Sequence, residues 1–140
     1  MQNSQRPIFI VSAPRSGSTL MRLVLDSHPG ISIPPPSWLY AMVFPYLYSN
    51  GDLSLDHNIH ALAEDIIKTP TVESWSFPVS PDQLVTTATE RSFAGLYDAL
   101  HRLYAQENGK VRWGEKSPRN CFWMDEIKRD FPDAQFVHIV

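Results

Sequence analysis

The chain has 140 residues, a formal net charge of −3, 43% hydrophobic and 19% charged residues; this fits a single globular domain over 1–140 and excludes two full-sized ones. Twelve basic residues stand against 15 acidic ones with no long run of either sign, so neither nucleic acid nor an anionic membrane is an expected partner. One cysteine, Cys121, excludes an intrachain disulfide and a cysteine-based zinc cluster, and the early apolar runs are too short for a membrane span or a secretory signal, which makes a cytoplasmic location the expectation.

Residues Pro7 to Ser12 form a nearly continuous apolar run rich in β-branched side chains, the pattern of a buried parallel strand. A tight turn, Ala13 to Thr19, follows, and Leu20, Met21, Leu23, Val24 and Leu25 repeat at helical spacing until His28-Pro29-Gly30. Ser37 to Tyr48 is an aromatic-rich helical candidate after Pro34-Pro35-Pro36. Asp56 to Lys68 predicts a helix with Ile59, Leu62, Ala63, Ile66 and Ile67 on one face. Thr87 and Glu90 have capping-box spacing, ahead of Phe93, Leu96, Tyr97, Leu100, Leu103 and Tyr104 at helical period, up to Asn108-Gly109. Lys110 to Glu115 predicts a second strand, Ser117 and Pro118 a cap and first position of a helix reaching Phe131, and Gln135 to Val140 a third strand. Strands separated by helices imply βαβ units, hence an α/β fold with a parallel sheet. The chain stops on a buried-type strand, where such folds ordinarily continue into a ligand-binding loop, so a truncated domain is expected. An exposed edge on a three-stranded sheet favours association into a homo-oligomer.

In a strand-loop-helix unit the helix N-terminus presents unpaired N–H groups and partial positive charge, which suits phosphate or sulfate. Gly17 permits close backbone approach, Ser16, Ser18 and Thr19 offer hydroxyl donors, and Arg15 brings a permanent charge able to bind two oxygens. The magnesium-nucleotide loop G-x-x-x-x-G-K-[ST] fits poorly, since Ser18 rather than lysine follows Gly17 and no glycine stands five residues earlier.

The segment P-I-F-I-V-S-A-P-R-S-G-S-T-L-M-R-L-V-L-D-S-H-P resembles the 5′-phosphosulfate-binding segment of sulfotransferases, especially the branch of tyrosylprotein sulfotransferases and their bacterial relatives. R-W-G-E-K-S-P-R-N and F-P-D-A-Q-F-V-H-I-V are similar to the same family. The resemblance implies a P-loop-like three-layer fold, 3′-phosphoadenosine 5′-phosphosulfate as donor, and transfer of its sulfuryl group to a hydroxyl or amine of a small-molecule or peptide acceptor without a metal ion. Arg15 to Thr19 then match the loop around the phosphosulfate, and Lys116 the lysine that neutralises the donor as the bond to phosphate breaks. The competing reading of Lys116 is a solvated lysine paired with Glu115.

Two positions depart from the family. Where relatives carry a glutamate that acts as general base, this chain has Pro36, which accepts no proton. The arginine and serine that hold the 3′-phosphate in relatives follow the strand matching Gln135 to Val140, where this chain ends. Glu115, His57 and His60 are bases by chemistry alone, with no spacing that ties them to the loop. His28 reads as a helix-end residue and His138 as a hydrogen-bonded core residue. Trp38, Tyr40, Phe44, Tyr46, Tyr48, Trp75 and Phe77 read as core or contact residues before acceptor-pocket residues. The rival functions are a non-catalytic nucleotide- or oxyanion-binding fragment and a P-loop kinase-type phosphotransferase.

Overall fold

The computed structural model describes residues 6–13 and 17–139. The chain divides into two compact units, one of residues 1–37 and 101–140, the other of residues 38–100. Among the described residues no helix is long and apolar enough to cross a membrane.

The first unit holds a parallel sheet of four strands, β1 (Ile8–Ser12), β2 (Ile31–Ser32), β3 (Arg112–Lys116) and β4 (Gln135–Ile139), in the order β2-β3-β1-β4. Every residue of β1 is buried, as its unbroken apolar run requires of a central strand. Phe9 anchors an aromatic cluster with Trp113, Phe131 and Phe136, ring centroids 5.6 to 5.9 Å apart. Register pairs Ile8 with Gly114 and Ile10 with Lys116. A side chain at Gly114 would meet the Ile8 carbonyl at 2.9 Å and Ile33 at 3.1 Å, so the close passage of β1, β3 and Ile33 demands glycine there.

Helix α1 (Ser18–Asp26) packs against β1, β2 and β3 and turns an unexpected face to them. Leu20, Leu23 and Val24 are exposed, whereas Arg22 and Asp26 are half-buried. The reason is β2, which no sequence pattern announces. Beyond Ser32 the backbone of Ile33 has no ladder partner; Arg22 Nη1 donates to its carbonyl at 2.9 Å and Asp26 Oδ1 accepts from its N–H at 2.8 Å. Two polar side chains four residues apart on α1 thus end the strand.

The second unit contains α2 (Leu39–Met42), a 3-10 segment (Phe44–Asn50), α3 (Asp56–Lys68), α4 (Pro70–Glu73) and α5 (Pro81–Thr87). The α6 helix (Phe93–Glu107) runs through the boundary into the first unit. The α3 helix has the expected bounds, with Ile59, Leu62, Ala63 and Ile66 buried. The single helix expected over Ser37 to Tyr48 is broken because Pro45 has no N–H to continue it, and the chain tightens into 3-10 turns. Thr87 does not cap the next helix but ends α5, which starts at Ser80-Pro81, with Ser80 Oγ accepting from Gln83 N. The cap of α6 is Ser92, whose Oγ accepts from the Gly95 N–H at 3.0 Å. Of the aromatics, Tyr40, Phe44, Phe93 and Tyr97 form a cluster with centroids 5.1 to 5.7 Å apart, while Tyr46 and Tyr48 are exposed.

After β3 the chain also departs from expectation. Ser117 caps no helix; its hydroxyl is engaged by Glu115, and its carbonyl accepts from Asn120 N at the start of a 3-10 segment (Asn120–Trp123) that leads into α7 (Met124–Asp130). The α7 helix delivers the chain to β4, an edge strand in which His138 is exposed rather than in the core.

Candidate active site

The carboxyl ends of all four parallel strands share one edge of the sheet. The β1-to-β2 connection passes β3, and the β3-to-β4 connection passes β1. Two crossovers leaving adjacent strands in opposite directions define a switch point between β1 and β3, the place where open α/β sheets form a crevice.

At the β1 side of that point stands the N-terminus of α1. Gly17 is its cap residue, with φ 85° and ψ 13°, left-handed backbone that glycine adopts without strain. A side chain built on Gly17 would find nothing within 4 Å, so the space on that side of Gly17 is open. The first helical hydrogen bond runs from Met21 N to the Gly17 carbonyl, which leaves the amides of Ser18, Thr19 and Leu20 without intrahelical acceptors. Arg15 and Ser16 lie outside the described residues.

At the β3 side stands Lys116, 6% exposed, with Nζ 3.4 Å from Thr19 Oγ1. Residues 97 positions apart in sequence thus meet at the first turn of α1. Burial pushes the Lys116 ammonium below the usual lysine range; the Arg22 guanidinium adds to this and Glu115 opposes it. Among the described residues no carboxylate forms an ion pair with Lys116. Arg22, one turn beyond Thr19 on α1, is a second cation that the sequence reading missed; its signal was a charge set within an apolar helix at i+3 from Thr19.

Glu115 is not the surface partner of Lys116. Successive strand residues point to opposite faces, and Glu115 is fully buried on the face of Trp113. His101 Nε2 lies 2.7 Å from its Oε1, the Ser37 N–H donates to Oε2 at 3.3 Å, and Ser117 Oγ donates to the same oxygen. With three donors and no exposure, Glu115 has no access to an acceptor proton. His57 and His60 belong to α3 in the second unit, where His60 Nε2 pairs with Asp82 at 2.7 Å and Nδ1 with the Asp56 carbonyl at 2.9 Å. His28 Nδ1 accepts from the Gly30 N–H at 2.9 Å and so shapes the turn after α1. Pro36 stands half-buried in the loop after β2.

A parallel α/β sheet with a glycine-initiated helix and a buried lysine at its switch point places the chain among the open α/β folds built around such a point. Within that class the chain belongs to the sulfotransferase family, which it matches over residues 7–140. It is 29% identical over 129 residues to the nodulation protein NoeE of Sinorhizobium fredii, covering 92% of this chain and 27% of that relative. It is 22% identical over 143 residues to a Caenorhabditis briggsae protein described as a putative protein-tyrosine sulfotransferase, covering 100% of this chain and 41% of the relative. Among solved structures it resembles the sulfotransferase domain of the Synechococcus PCC 7002 olefin synthase, with TM-score 0.55 and 27% identity over 99% of this chain and 50% of that one. The chain therefore spans half or less of the length of these relatives.

Proposed function

We propose that the switch point grips the phosphosulfate end of 3′-phosphoadenosine 5′-phosphosulfate and that the chain carries the donor-binding half of a sulfuryl-transfer site. The reading rests on Lys116, a buried ammonium at the first turn of α1 without an ion-paired carboxylate among the described residues. Such a cation, next to Arg22 and to helix amides without intrahelical acceptors, is completed by an anion. The open space at Gly17 leaves room for phosphate oxygens to reach those amides. Arg15 and Ser16, as sequence neighbours of Gly17, and the hydroxyls of Ser18 and Thr19 are assigned to the same grip.

In the transfer, a hydroxyl or amine of the acceptor attacks sulfur, the bond from sulfur to the bridging phosphate oxygen breaks, and the acceptor proton passes to a base. Lys116 and the α1 amides stabilise the charge that grows on the leaving phosphate. A hydroxyl acceptor agrees with the description of one relative as a protein-tyrosine sulfotransferase. Pro36 and the enclosed Glu115 both leave the base to another group.

Calorimetric titration of the 140-residue chain with adenosine 3′,5′-bisphosphate, and with ATP with and without magnesium, tests the reading. Saturable binding of the bisphosphate without magnesium is expected, weakened at least tenfold, about 1.4 kcal/mol, in Lys116→Met. Preference for magnesium-ATP would overturn it. A sulfate-transfer assay on the binder then separates a transferase from a binding module.

A further inference from the structure

Glu115 has no part in the transfer chemistry above, yet it collects donors from three places in the chain. His101 lies at the C-terminal half of α6, Ser37 directly follows Pro36 in the loop leaving β2, and Ser117 directly follows Lys116 in the turn leaving β3. The His101 ring is itself set against Trp113, centroids 4.6 Å apart, on the same face of β3 as Glu115. A single carboxylate therefore fastens both loops that leave the β2-β3 end of the sheet's carboxyl edge. A buried acid of this kind is a poor device for stability alone, because apolar residues of similar volume generally serve as well or better.

We propose that Glu115, oriented by His101, is a positioning residue that fixes the turn after β3 and so holds the Lys116 ammonium at the first turn of α1. The proposal rests on the donor-binding reading of Lys116 for its functional consequence, but the position of the ammonium can be followed without any ligand. Ser117→Ala removes one donor from Glu115 and changes no charge. With lysine side chains labelled for NMR in the 140-residue chain, the Lys116 titration in Ser117→Ala is expected to rise toward the ordinary lysine range by about half a pH unit, as the loosened ammonium regains water. An unchanged Lys116 titration in the folded variant overturns the proposal.

The second arm is a cycle on adenosine 3′,5′-bisphosphate affinity. Glu115→Gln is expected to weaken binding about tenfold in the wild-type background and less than about twofold in the Lys116→Met background. A loss of the same size in both backgrounds shows that Glu115 does not act through Lys116 and overturns the proposal. If Glu115→Gln does not fold, Ser117→Ala takes its place in the cycle. If the bisphosphate fails to bind wild-type protein, the donor-binding reading fails, while the Lys116 titration still decides the positioning role.

Discussion

Each of the two compact units holds a histidine–carboxylate pair, and the two pairs have opposite surroundings. In the second unit the pairs His60–Asp82 and Arg91–Asp56, with N–O distances of 2.7 and 2.5 Å, lie at the surface, the aspartates 86% and 87% exposed. In the first unit the His101–Glu115 pair, also at 2.7 Å, has no exposure at all. Similar distances therefore carry different energies: water screens the surface pairs until they contribute little, whereas the interior pair cannot lose one member without stranding the other. The difference teaches that burial, rather than the presence of an acid and a histidine, marks where the fold is committed to polar groups, and that commitment sits next to Lys116.

The sharpest break in this contrast is Glu115→Ala. It leaves His101, Ser117 and the Ser37 N–H facing an empty acceptor position and is expected to cost about 3 to 5 kcal/mol in urea unfolding; a cost no larger than that of Asp82→Ala would erase the distinction between the units. Gly114→Ala comes next. Its Cβ would press on the Ile8 carbonyl, which is backbone and cannot swing aside, so a loss of about 1 to 3 kcal/mol is expected by the same measurement. The smallest effect belongs to the surface. The Asp56 carbonyl and the Asp82 carboxylate hold the His60 imidazole above its ordinary 6.5. Its stabilising contribution is thus complete below 6.5 and lost as pH rises through the higher folded-state value. Unfolding midpoints measured across that window should fall slightly with rising pH in the wild type and less so in Asp82→Asn.

Much of the first unit was legible because its signals are local. The apolar run of β1 needs a fully buried strand and the helical period follows soon after Gly17, so Gly17 could be singled out from order and residue type, whereas Lys116 stood out only through the family resemblance. In the second unit Asp56 to Lys68 likewise shows its own helical period. The errors share one cause. Leu20, Leu23 and Val24 have the period of an inward face yet are exposed, because the backbone of Ile33 draws Arg22 and Asp26 toward the sheet instead. Ser117 has the chemistry of a helix cap, but a buried carboxylate takes its hydroxyl.

The sequence alone therefore determined the alternation of strands and helices, the glycine that precedes α1 and the family resemblance, since each rests on residues adjacent in the chain or repeating within one element. Tertiary structure alone decided which polar groups meet: Lys116 with Thr19, Glu115 with His101 and Ser37, Arg22 with Ile33. These partners are separated by 11 to 97 residues, and their pairing follows from strand register and burial, which no local pattern of side chains encodes.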